Sequence, residues 1–184
     1  MPHIKLPAGL PGIIGLLEYR PAVAKPLNDL TDILLTSDST LSRGERELIA
    51  AYVSSLNECV FCVNSHGAFA GAQIPGGDAV VEAVRVDYTR ADISPKMKSL
   101  LAIAKLVNES GLKVTAASIA TAREQGATDL EIHDTVLIAS VFCMFNRYID
   151  GLAAWSPKDP QSYAPMAQKV VEHGYEFARS KPVR

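Results

Sequence analysis

The fold of this protein is most apparent in residues 41–70, which read LSRGERELIAAYVSSLNECVFCVNSHGAFA. Ser42 followed three residues later by Glu45 is the S-x-x-E pattern of a capping box, in which each side chain binds a free amide at a helix start. The pattern predicts a helix over about 43–56. A second helix is predicted over about 59–73, where a Pro-Gly-Gly sequence ends it.

Similar helical signals occur in the rest of the chain. Apolar residues recur at helical spacing over 27–35, and Ser94-Pro95 places proline at the first position of another helix. Thr128 and Glu131 form a second capping box, before a long helix. A C-terminal helix is predicted over 166–179. No segment alternates between apolar and polar residues as a half-buried strand does, so the sequence predicts an all-α helical bundle.

The chain has 184 residues, which suits one domain. We expect an extended N-terminal arm over 1–28, which is rich in Pro and Gly and has one helical turn near 13–19, and an all-helical domain over 29–184 with its CxxC core at 42–73. The arm carries apolar side chains that must be covered, by its own domain or by a neighbouring subunit. These are Ile13, Ile14, Leu16 and Leu17.

Composition and charge exclude several classes of protein. The formal net charge is −2 and no block of Lys or Arg occurs, which argues against nucleic acid and anionic membranes as partners. The longest apolar segment, around 136–145, is far shorter than the ~20 residues that a bilayer requires. Three cysteines do not make a disulfide scaffold, and they favour a reducing, cytoplasmic compartment.

The residues with the clearest chemical potential are Cys59, Cys62 and His66. At positions i, i+3 and i+7 they share one face of a helix. The start of a helix favours thiolate over thiol, and should lower the pKa of a cysteine from ~8.5 towards neutrality. The imidazole of His66 could take the proton. Glu47, on the preceding helix, could orient that imidazole if the two helices pack as a hairpin.

Other interpretations of the same residues stay open at this point. The cysteines could be small buried apolar residues without a chemical role. The C-x2-C-x3-H pattern could also hold zinc in a structural helical oligomer, with Glu47 or Cys143 as the fourth ligand. Haem attachment is excluded, because Val63 follows the second cysteine where a histidine is required. No nucleotide or flavin fingerprint occurs.

Residues 41–70 resemble the core motif of the AhpD-like (alkylhydroperoxidase D-like) family, which shares its fold with carboxymuconolactone decarboxylases. The spacing matches, with a glutamate twelve residues before the first cysteine and a histidine four residues after the second. The segment FNRYIDGLA at 145–153 resembles the peroxidase-related branch of that family, which carries an Asn-Arg pair near this point.

The resemblance implies a thiol-dependent antioxidant oxidoreductase, a hydroperoxide or disulfide reductase built from helical subunits. Cys62 would be the peroxidatic thiol, Cys59 the resolving thiol, and Glu47 with His66 the proton relay. An external dithiol or protein reductant would restore the dithiol, without a cofactor or a metal. The subunits would form a homo-oligomer, either a dimer, a trimer or a hexamer.

One departure from the family pattern is Phe61, which stands where AhpD has a second histidine. The site loses a proton-transfer group and becomes more apolar, which should raise the thiol pKa. A slower thiol–disulfide oxidoreductase, or an enzyme for another substrate, fits equally well. Lactone decarboxylation is a further alternative, although decarboxylases of this fold lack the CxxC.

Two residues outside the motif also carry expectations. Cys143 lies in an apolar segment and is expected to be a buried core thiol. Arg147, in the same predicted helix, is expected to form a buried ion pair with Asp150 or Glu47, or to contact another subunit; substrate binding is the alternative.

Overall fold

The computed structural model describes residues 1–175, which contain nine α-helices, two short 3-10 helices and no strand. The predicted all-α fold is confirmed. Within these residues, no helix is long and apolar enough to cross a bilayer. The helices are α1 (Gly12–Tyr19), α2 (Pro21–Thr36), α3 (Arg43–Leu56), α4 (Val60–Gly71), α5 (Gly77–Asp87), α6 (Pro95–Glu109), α7 (Ala116–Glu124), α8 (Asp129–Gly151) and α9 (Ala164–His173).

Both predicted capping boxes are present and define the starts of α3 and α8. The Ser42 hydroxyl accepts from the Glu45 amide at 3.2 Å, and the Glu45 carboxylate accepts from the Ser42 amide at 2.8 Å. Thr128 and Glu131 make the same pair of bonds at 3.2 and 2.7 Å. Each box satisfies two amides that a helix start leaves without partners.

Helix α3 forms the centre of the molecule, and nearly all of it is buried. It packs against α4 on one side and against α6 and α8 on others. Large apolar side chains from these helices fill the space between them and make one continuous core. Its fully buried members include Leu48, Ile49, Leu100, Leu101, Ile138 and Phe142.

A short turn joins α3 to α4 and places the first cysteine at a helix start. Glu58 has a φ of +58°, in the left-handed region that non-glycine residues rarely adopt. The Cys59 amide donates to the Ser54 carbonyl at 3.1 Å, and Cys59 is the N-cap residue of α4. The helix therefore begins where the sequence predicts, although it ends at Gly71 rather than at residue 73.

The N-terminal segment differs from the expected extended arm, because residues from Gly12 onward form α1 and α2. Pro21 is at the first position of α2, where a proline without an amide hydrogen costs little. Leu16 is fully buried, so packing on its own domain stabilises α1. The predicted division at 28/29 falls inside α2, and the domain division itself stays a prediction.

The chain returns to the α3–α4 hairpin after α9. Gly174, with a φ of +60°, ends that helix, and the Tyr175 amide then donates to Asp32 of α2 at 3.0 Å. The Arg43 guanidinium donates to the Val170 carbonyl at 2.8 Å. The predicted C-terminal helix is therefore present but ends at His173, before Gly174 and Tyr175; residues 176–179 of the prediction lie outside the described part of the chain.

Candidate functional site

The two cysteines of the CxxC lie together at the start of α4. Cys59 is fully buried and Cys62 is 3% exposed, and both are free thiols in this structure. A hydrogen bond joins the two thiols. Leu16 of α1 and Phe61 belong to the same buried apolar cluster, so this helix start is covered rather than open to solvent.

Glu47 and His66 form a buried pair beside the cysteines. The Oε2 atom of Glu47 lies 2.7 Å from Nδ1 of His66, and the two residues are 1% and 8% exposed. A histidine ring nitrogen can donate to a carboxylate oxygen, and with Nδ1 bonded to Glu47 the second ring nitrogen, Nε2, is left for other partners. The imidazole is held edge-on against Phe142, with ring centroids 4.5 Å apart. The expected hairpin packing does bring Glu47 and His66 together.

Tyr175 is a member of this cluster that sequence reasoning missed. Its hydroxyl donates to Oε1 of Glu47 at 2.7 Å and lies 3.4 Å from Nδ1 of His66. Burial and the nearby Glu47 carboxylate raise the pKa of Tyr175 well above its ordinary value. The sequence places this tyrosine in a predicted helix, and only Gly174 before it signals that the helix ends.

A small cavity of about 70 Å³ lies beside Cys62 and His66. Its walls come from α1, α2, α4 and α8, and Tyr175 closes one side. Most of the lining is aliphatic or aromatic, so the cavity favours a small apolar ligand next to one sulfur and one imidazole. The apolar lining includes Ile13, Leu17, Leu27, Phe142, Phe145 and Ile149.

The Cys62 thiol does not behave as its position at a helix start predicts. The hydrogen bond with Cys59 and burial raise the pKa of Cys62 well above its ordinary value, while a hydrogen bond with Asn146 acts in the opposite direction. The expected lowering is therefore wrong, because the helix start is desolvated and shared with a second thiol. The upward direction agrees with the effect expected from Phe61.

A carboxylate lies on the other side of the dithiol. Burial raises the pKa of Asp150, and its hydrogen bond with Cys59 acts in the opposite direction. The Asp150 carboxylate, when charged, also raises the pKa of Cys62. The raised pKa thus favours the neutral thiol form of Cys62.

The expectations of a fully buried Cys143 and of a buried ion pair of Arg147 are both wrong, whereas a contact of Arg147 with another subunit or with substrate stays a prediction. Cys143 is half-buried rather than fully buried, and its sulfur lies 3.6 and 3.5 Å from the side-chain nitrogens of Asn57 and Asn108. The Arg147 side chain is exposed and donates to the Cys143 carbonyl at 2.9 Å, one turn earlier on α8. It makes no buried ion pair because its position on α8 faces outward.

The zinc interpretation finds no ligand set in residues 1–175. No group of three or more His, Cys, Asp and Glu side chains is arranged there to hold a metal ion. Nδ1 of His66 is already hydrogen-bonded to Glu47, and the two free thiols share a hydrogen bond.

Known proteins share both the central sequence and the fold. Residues 21–86, which contain all four predicted site residues, match the carboxymuconolactone decarboxylase family. The alkylhydroperoxidase AhpD core from Ralstonia eutropha JMP134, an uncharacterized peroxidase-related protein, has a similar structure with a TM-score of 0.76. It is 28% identical over 86% of this chain and 81% of that chain. The chain is thus similar to the carboxymuconolactone decarboxylase family over residues 21–86, and its fold is similar to that of an AhpD core.

A second solved structure shows the same fold as this chain. It is an uncharacterized peroxidase-related protein from Silicibacter sp. TM1040, with a TM-score of 0.75 and 24% identity over 84% of this chain and 78% of that chain. None of the curated protein sequences compared with the chain matches it.

Proposed function

We propose that this AhpD-like protein reduces hydroperoxides with Cys59 and Cys62, using Glu47 and His66 as a proton relay. The family and its structural relatives support a peroxidase-related function in general terms. The observation that carries the finer proposal is the buried Glu47–His66 pair, 2.7 Å apart, beside the cavity that Cys62 lines.

The first step is the reduction of the peroxide at Cys62. His66 takes the thiol proton at Nε2, and the thiolate attacks one oxygen of the hydroperoxide. The O–O bond breaks as an S–O bond forms, so the sulfur is oxidised by two electrons to a sulfenic acid. The departing alkoxide takes the proton from the imidazolium and leaves as the alcohol.

The second step restores the dithiol. The Cys59 sulfur attacks the Cys62 sulfenic acid, an S–S bond forms, the S–O bond breaks, and water leaves with the Cys59 proton. An external dithiol then reduces this disulfide and is itself oxidised to a disulfide. A small dithiol or a reduced protein can serve as this partner.

The raised pKa of Cys62 makes the relay necessary in this scheme. At neutral pH the buried thiol is protonated, so it requires a base at the moment of attack. The hydrogen bond from Asn146 favours the thiolate once the proton has left. The small apolar cavity suits a compact alkyl hydroperoxide better than a bulky or charged one.

The test is peroxide consumption with excess dithiothreitol as reductant. Cys62→Ser should lower the rate to that measured without protein, whereas Cys143→Ser, a matched change outside the cavity, should keep the wild-type rate. In Cys59→Ser one peroxide equivalent should convert Cys62 to a sulfenic acid that dimedone labels. Wild-type protein that consumes no peroxide, or a Cys62→Ser variant that keeps its rate, contradicts the proposal. Retained lactone decarboxylation in that variant would favour the decarboxylase alternative.

We also propose that the protein is a cytoplasmic homo-oligomer, either a dimer, a trimer or a hexamer. The resemblance to the AhpD-like family implies such an assembly. Light scattering on the full chain tests this. A species of the single-chain mass, 19.8 kDa, contradicts it.

A further inference from the structure

We propose that Tyr175 is a positioning residue of the relay, whose hydroxyl binds one oxygen of the Glu47 carboxylate and so orients the other oxygen towards His66. This inference rests on the proposed function in one respect only, that His66 takes the proton of Cys62. It adds to the site a residue from the C-terminal end of the described chain, 128 residues from Glu47.

The carboxylate geometry is the first part of the case. One oxygen of Glu47 accepts from His66 and the other accepts from the Tyr175 hydroxyl, each at 2.7 Å. A buried carboxylate stays charged only where donors replace the lost water. With both oxygens occupied, the carboxylate is fixed at two points, and it in turn fixes the imidazole with Nε2 as its acceptor.

The anchoring of Tyr175 is the second part. Its backbone is held by contacts that do not involve the relay: the amide donates to Asp32 at 3.0 Å, and Arg43 binds the preceding helix end at the Val170 carbonyl. Gly174 makes the turn, and a Cβ there would lie 3.1 Å from Oδ1 of Asp32. Hydrogen bonds thus hold this segment against α2 and α3, and the turn at Gly174 places the Tyr175 hydroxyl next to Glu47.

The electrostatic surroundings favour a neutral tyrosine that donates its proton without losing it. The raised pKa of Tyr175 keeps the hydroxyl protonated throughout the working pH range. The ring also stacks near the imidazole, with centroids 6.4 Å apart. The charged or titratable groups that face this tyrosine are Glu47 and Arg43 of α3, His66 and Cys62 of α4, and Asp32 of α2.

The experiment compares Tyr175→Phe with Tyr88→Phe in the full chain. Tyr88 is a half-buried tyrosine that packs on Tyr52, outside the cavity, so it controls for the loss of a phenolic hydroxyl. The readout is the rate at which iodoacetamide alkylates Cys62, followed by mass spectrometry from pH 6 to about 10. This reaction requires the relay but no peroxide, so it reports on Tyr175 even if the protein does not reduce hydroperoxides.

We expect Tyr175→Phe to lower the alkylation rate at pH 7 by ~10-fold, the effect of one lost hydrogen bond to a charged group. The pH profile of alkylation should also change, because Glu47 and the imidazole that it binds are then fixed by one hydrogen bond fewer. If the protein is a peroxidase, kcat should fall similarly while KM stays unchanged. An unchanged pH profile, even together with lower thermal stability, would overturn the inference.

A second comparison removes the carboxylate itself. In a Glu47→Gln background, Tyr175→Phe should change the alkylation rate less than twofold, because the hydroxyl acts through the charge of Glu47. Equal effects in both backgrounds would show that Tyr175 acts independently of Glu47 and would also overturn the inference. If alkylation responds as expected but no variant or wild type consumes peroxide, the proposed function fails and the positioning role stands.

Discussion

The α3–α4 hairpin and the two terminal segments contribute to the same site in different ways. The hairpin supplies the thiols, the imidazole and the carboxylate from residues 47–66. The terminal segments, 1–20 and 164–175, supply no thiol to the site but cover it with Leu16 and close it with Tyr175. The side chains that are proposed to react therefore come from one short segment of the sequence. Exclusion of water from them depends on contacts between distant parts of the chain.

The strongest test of this division is Leu16→Ala. Leu16 is fully buried against Cys59, Phe61 and Cys62, so its loss leaves a void at the dithiol. We expect the free energy of unfolding to fall by about 3 kcal/mol in urea titrations, and both cysteines to become more reactive towards alkylation. Leu112→Ala is the control, because Leu112 is 97% exposed. Equal stability of the two variants would mean that the N-terminal segment does not help to cover the dithiol.

A smaller effect is expected from Gly12→Ala, which tests the close contact between α1 and the hairpin. A Cβ at Gly12 would lie 2.3 Å from the Phe61 ring, and the φ of +51° also disfavours alanine. We expect a loss of about 2 kcal/mol in unfolding free energy. Gly9→Ala shares the positive φ but meets nothing within 4 Å, so it should cost about 1 kcal/mol. If Gly12→Ala and Gly9→Ala unfold at the same urea concentration, the close contact between Gly12 and Phe61 does not contribute to stability.

The smallest expected effect is a pH dependence of stability that comes from the hairpin itself. The pKa of folded Cys62 is raised, whereas the unfolded thiol ionises at its ordinary value of ~8.5. Its contribution to stability is therefore complete below that pH and is lost as the pH rises towards the raised folded value. Unfolding midpoints of the reduced protein should fall more steeply above pH ~8.5 in wild type and Cys143→Ser than in Cys62→Ser. Parallel curves for the three proteins would contradict this assignment.

The sequence was sufficient for the parts of the molecule that depend on short-range signals. The starts of α3 and α8 follow from capping boxes, because the bonds involved span three residues. The contact of Glu47 with His66 follows from hairpin packing of two adjacent helices. Their catalytic roles, and those of Cys59 and Cys62, stay predictions.

Long-range contacts explain what the sequence could not predict. Helical periodicity continues past His173, so nothing local indicates that Tyr175 turns back onto α3. The direction of the Cys62 pKa depends on burial, and Leu16, which provides part of it, lies 46 residues earlier in the chain. The helical turn expected near 13–19 lies in α1, but the extended conformation expected for the rest of the arm is wrong from Pro21 onward, where α2 begins.

The near-complete burial of both sulfurs sets a kinetic limit on any partner that must touch them. Cys59 is 0% exposed and Cys62 is 3% exposed, so a protein-sized reductant could not reach a disulfide between them in the closed fold. The proposed exchange would then await a local opening of the covering helices, whose rate is a property of this protein and not of the reductant. As the reductant becomes more concentrated, the reduction rate should level off at the opening rate, and weakening the N-terminal cover should raise that plateau.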